Sequence, residues 1–157
     1  MSCVRLFIDE LHSLEWVGIF LARVVVGLLF FLSGRDKLFV PERREQMRQT
    51  LNEAHVPFVE FNVLLVSIVE FVGGLLLVFG ALTPLACVML GCVMLVALAT
   101  IAVPNIKAPP LLGWFAEFLY LPEVLYLVIL IWLFFSGPGW LSVDHLMLFQ
   151  IHLQAWK

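Results

Sequence analysis

Charge is scarce in this chain: Lys, Arg, Asp and Glu make up 13% of its 157 residues, against 62% hydrophobic. So little polar surface cannot coat a water-soluble globule of this length, and an integral membrane protein is expected. A net charge of -3 leaves no basic stripe for a phosphate backbone, which excludes nucleic acid. Cysteine is nearly absent too: Cys3 lies at the start, and Cys87 and Cys92 fall about 140° apart on one helix, so neither a disulfide framework nor a CxxC pair is expected. The histidines, His12, His55, His145 and His152, all lie outside the apolar runs. The paired mid-membrane histidines of a b-type haem protein are therefore missing. With no iron–sulfur cysteines and no nucleotide fingerprint either, no intrinsic cofactor and no metal site are expected.

Long apolar runs are what the chain has in excess. Four reach the roughly 20 residues that a hydrocarbon core requires: 14–32, 58–79, 84–103 and 111–135. The fold expected is all-α, a single membrane domain over 1–157 built as a bundle of four transmembrane helices. Acidic residues, not basic ones, precede the first run, and no A-x-A site follows it, so it reads as a span and not as a cleaved leader. Gly80, Ala81 and Leu82 join spans 2 and 3 as a tight hairpin, with Thr83 as N-cap and Pro84 in the first turn. Pro122 interrupts span 4 and would free the carbonyl of Phe118. A kinked helix is expected there, or a short interfacial helix ending near Tyr120 with a membrane helix beginning at Pro122. Val4 to Leu14 reads as a surface helix or as an extension of span 1. Pro41 to His55, the one substantial polar stretch, reads as an exposed helix.

Six of the nine Lys and Arg residues lie in the loops after spans 1 and 3. These loops should be cytoplasmic and both termini outside.

Three charges sit inside apolar runs: Arg23, Glu70 and Glu123. Each costs several kcal/mol at the bilayer centre, and about 2.5 to 3.5 kcal/mol for Arg on insertion scales, so each should face the bundle interior and find a partner. Arg23, Gly27 and Gly34 share one face of span 1; Ser67, Glu70, Gly73 and Gly74 share one of span 2. Small residues on both let the helices approach closely. Arg23 and Glu70 are therefore expected to pair near mid-membrane, with Glu123, Tyr120 and Tyr126 completing one shared polar site. Two carboxylates against one guanidinium leave one of them able to hold a proton near neutral pH. The same residues also read as a structural clip that fixes helix register.

Taken together, Ala22-Arg23 with Gly27, Ser33-Gly34-Arg35-Asp36-Lys37-Leu38, Val56-Pro57, Glu70-Phe71-Val72-Gly73-Gly74-Leu75, Leu82-Thr83 and Gly137-Pro138-Gly139 with Ser142 and Asp144 resemble the DoxX family of small four-helix membrane proteins. Many members carry His-Gly before the lysine where this chain has Ser33-Gly34. The resemblance implies a bundle in the bacterial cytoplasmic membrane. The family takes its name from a subunit associated with quinone-linked thiosulfate oxidation, so it also implies a component of a respiratory or redox-protective oxidoreductase system. That reading places a quinone-like lipophile near Arg23, Glu70 and Glu123, with a partner subunit supplying electrons and oligomerisation left open. The competing readings are a non-catalytic scaffold or assembly factor and a small-molecule or lipid carrier.

Overall fold

The computed structural model describes residues 14–107 and 111–147. The expected surface helix at Val4 to Leu14, all but its last residue, lies outside them, as do the chain's termini. Helix α1 (Glu15–Phe39) leads to α2 (Pro41–Glu53), α3 (Val59–Phe79) and α4 (Thr83–Ala97). α4 runs on through a π-turn at Leu98–Ala102 and a 3-10 turn at Val103–Asn105; α5 (Leu111–Tyr120) and α6 (Pro122–Ser136) follow, and the described residues contain no strand. α1, α3 and α4 with its two turns are each long and apolar enough to cross a membrane, and α5 with α6 forms a fourth, broken span bent by 60°.

The interior of α1 is Ile19, Arg23, Val26, Gly27, Phe30 and Gly34, a stripe at helical spacing. Leu21, Val25, Leu28 and Leu32 stay exposed on the other side, where acyl chains solvate them at no cost. Lipid removes the usual drive to bury leucine, so close packing decides the contacts. α1 and α3 meet backbone to backbone: a Cβ on Gly27 would lie 2.8 Å from the Val78 nitrogen and 2.9 Å from the Gly74 carbonyl oxygen. Gly34 abuts Phe71 and Ser67, and Gly74 abuts Phe31, equally tightly. Gly73 instead faces Leu90 of α4, so the glycine pair of span 2 serves two neighbours.

Backbone breaks fall where local chemistry demands them. Gly80, at φ +64, ends α3 in the left-handed region, and its N–H donates to Leu77. Leu121, the residue before Pro122, is extended at ψ 126, as proline's ring requires of its predecessor. Pro122 thereby becomes the first residue of α6 instead of a kink within one helix. The carbonyl of Phe118, expected to be free, accepts from the Leu121 N–H at 3.2 Å.

Candidate functional site

The charges expected to converge separate into two clusters. Arg23 is 1% exposed and donates from Nη1 to the Pro138 carbonyl and from Nη2 to the Leu141 carbonyl. Pro138 lies within Gly137-Pro138-Gly139 and Leu141 two residues beyond it; the two glycines sit at φ +77 and +73 and turn the chain so that these carbonyls face the guanidinium. Gly80 packs against the same guanidinium, and Phe20 offers its ring face 5.7 Å from Cζ. Asp144 accepts from the N–H of Leu82 at 2.7 Å and of Thr83 at 2.9 Å, while its own N–H donates to Gly80 at 3.0 Å. It thus caps α4 from across the fold, not the short helix that contains it. Ser142 Oγ caps that helix instead, accepting from His145 N–H at 3.1 Å. The expected role of Thr83 as N-cap is also corrected: Thr83 is the first residue of α4 and its buried hydroxyl has no partner among the described residues. This end of the bundle is a latch that ties the tail after α6 to α1 and to the α3–α4 hairpin.

Glu70 lies elsewhere. Gly34, which abuts Phe71, stands eleven residues beyond Arg23 on α1, so Glu70 is about 16 Å along the helix from the guanidinium. Its partner is Lys37, whose Nζ donates to Oε1 at 2.7 Å and to Oε2 at 2.6 Å, with Ser33 Oγ donating to Oε2 at 3.0 Å. The expected Arg23–Glu70 pair is therefore wrong. The apolar run of span 1 ends at Leu32, whereas the helix continues to Phe39, which carries Ser33 and Lys37 up beside Glu70. Their spacing of four residues, with Lys37 about 40° around the helix from Arg23, was the signal available in the sequence.

Glu123 joins this second cluster. It lines a cavity of about 450 Å³ together with Ser33, Lys37 and Glu70. Its Oε2 is buried without a hydrogen-bond partner among the described residues. The remaining wall is largely apolar, with Met94, Ala97 and Ile101 from α4. α2 closes over this end of the bundle: Arg43, Gln46, Met47, Thr50 and Leu51 all line the cavity, and Arg48 Nη2 pairs with Glu60 of α3 at 2.6 Å. The polar stretch expected as an exposed helix is therefore a cover with one side turned inward, its Leu51 buried.

The other expected members divide. Ser67 is buried, but its hydroxyl donates to its own helix at Val63 O, 2.6 Å away, so it is spent locally. Tyr126 packs edge-on against Phe30 at 5.8 Å in the apolar core. Tyr120, 88% exposed, ends α5 on the far side of the break and does not share a helix face with Glu123.

The DoxX family model matches residues 18–103, more than half of the chain. The chain belongs to the DoxX family. The matched stretch of this DoxX protein contains Arg23, Ser33, Lys37 and Glu70, whereas Glu123 and the Gly137–Asp144 tail lie beyond it. No curated protein and no solved structure matches the chain. With its membrane-length helices, this DoxX protein is a multi-pass integral membrane protein.

Proposed function

We propose that this DoxX protein is the membrane-embedded, lipophile-binding component of an oxidoreductase system, and that the cavity between Lys37, Glu70 and Glu123 takes the head of a quinone-like molecule. The observation that carries the reading is the cavity's composition. At about 450 Å³ it falls in the range of small-molecule sites, and its lining joins an apolar wall of Val66, Val93, Met94, Ala97 and Ile101 to convergent polar groups. Lys37 has three N–H donors, of which Glu70 engages two, leaving one for a ring carbonyl. Glu123 Oε2, without a partner among the described residues, suits a ring hydroxyl. Burying the Glu123 oxygen without a ligand is costly, so a molecule that satisfies it is favoured. Such a ring changes its hydrogen-bond pattern on reduction, and Glu123 is placed to accept or return the proton involved. The electrons come from a partner subunit.

Purification in mild detergent, solvent extraction and mass spectrometry test this. Near-stoichiometric quinone is expected from the native chain, with a loss of about tenfold or more in both Lys37→Met and Glu123→Leu. A native protein that carries no lipophile but co-purifies with another protein would refute the reading in favour of a scaffold, in which Lys37 and Glu70 only fix helix register.

A further inference from the structure

A second, smaller cavity of about 350 Å³ adjoins the first and shares two of its wall residues, Ile101 and Glu123. It forms where two backbone irregularities face each other. One is the π-turn Leu98–Ala102, which carries Ile101 and Ala102; the other is the extended Leu121 between α5 and α6. Its wall is apolar along Ile101, Ala102, Ile106 and Leu121, and polar at Asn105, Glu117 and Tyr120 and, where it meets the first cavity, at Glu123. α5, which borders it, has no buried residue and bends 60° away from α6, so among the described residues the groove is open on that side.

The geometry points to a tail channel: the groove between the α4 π-turn and the α5–α6 break carries the hydrocarbon chain of the bound lipophile from the inner cavity out to the bilayer. The inference rests on the head site proposed above, and narrows its ligand to an amphiphile with a compact polar ring and a single long chain. A tail that leaves lipid for the apolar side of this groove gains no apolar contact that it lacked before, so the groove adds little attraction of its own. Its contribution is geometric. A head seated against Glu123 needs a path for its tail, and Ile101 and Glu123 mark the point where the two spaces meet. A π-turn widens a helix by one residue, and such turns are frequent at functional sites; here it sits on the wall common to both cavities.

The test is an equilibrium titration of the purified full chain in nanodiscs with two probes, a substituted benzoquinone lacking a tail and the same ring bearing a ten-carbon chain. The native chain is expected to bind both. Ala102→Phe and, independently, Ile106→Trp fill the groove and are expected to weaken the tailed probe about tenfold. Binding of the tail-less ring should stay within about twofold, which also reports that the variant is folded. Equal weakening of both probes by Ile106→Trp, which lies at the half-buried outer part of the groove, would overturn the channel, and so would unchanged binding of the tailed probe in both variants. Failure of the native chain to bind the tail-less ring would instead overturn the head site, and this inference with it.

Discussion

Replacing Lys37 by methionine removes both strong donors from a carboxylate that is only 3% exposed at the residue level, leaving Glu70 with the single Ser33 bond at 3.0 Å. Truncating one partner of a buried ion pair costs about 3 to 5 kcal/mol. The Lys37 side chain is 22% exposed, and solvent weakens a pair of this kind, so we expect about 2 to 3 kcal/mol. Glu70→Gln should cost less, about 1 to 2 kcal/mol, because the ammonium it strands can turn toward water. In the double variant neither an unpaired carboxylate nor an unmatched ammonium remains beside Ser33. The cycle should therefore show a coupling of about 1 to 2 kcal/mol. Reversible denaturation in mixed micelles supplies the four free energies. The matching cycle of Arg23→Leu with Glu70→Gln should be additive within about 0.5 kcal/mol, since the groups are about 16 Å apart and share no partner. Coupling in the Arg23 cycle with none in the Lys37 cycle would refute the two-cluster arrangement.

Three further outcomes are expected. Asp144→Ala strips the cap from Leu82 and Thr83 and should lower stability by about 1 to 2 kcal/mol; an unchanged melting temperature in detergent would show that the tail is held without it. Gly34→Ala drives a methyl into the backbone of Phe71, whereas Gly91 has nothing within 4 Å of its added Cβ. The first change should destabilise by about 1 to 3 kcal/mol and the second should be neutral or stabilise by up to about 1 kcal/mol, with melting of the two variants side by side as the check. On a cysteine-free background, Glu45→Cys on α2 should resist an impermeant thiol reagent in intact cells while Gln154→Cys reacts, because the basic residues after spans 1 and 3 orient those loops to the cytoplasm; the reverse pattern would invert the topology.

The membrane class, the presence of membrane-length helices and the family were legible in the residues, because each depends on composition or local order; the end of span 1 was not, since α1 runs past Leu32 to Phe39. Apolar runs of bilayer length have few alternatives, glycine and proline mark the hairpin at Gly80–Leu82 and the break at Leu121, and Gly27, Gly34 and Gly74 announce close helix contact. The expectation that Arg23, Glu70 and Glu123 cannot face lipid also depends only on the cost of a charge in hydrocarbon. Their partners are a different matter. In a soluble helix, hydrophobic periodicity would show which face is buried; in α1 lipid-facing Leu21, Val25 and Leu28 are as apolar as buried Val26 and Phe30, so the pattern is silent on orientation and depth. The register of α1 against α3 set Lys37, not Arg23, beside Glu70, and the return of the tail after α6 put backbone carbonyls in front of Arg23 and Asp144 over the start of α4. Those contacts join residues 33 to 118 positions apart, and no local preference specifies them. The sequence by itself determined that these charges must be buried and compensated; only the packing of the helices decided by what, because compensation requires a partner within about 3 Å, a distance that tertiary structure alone assigns.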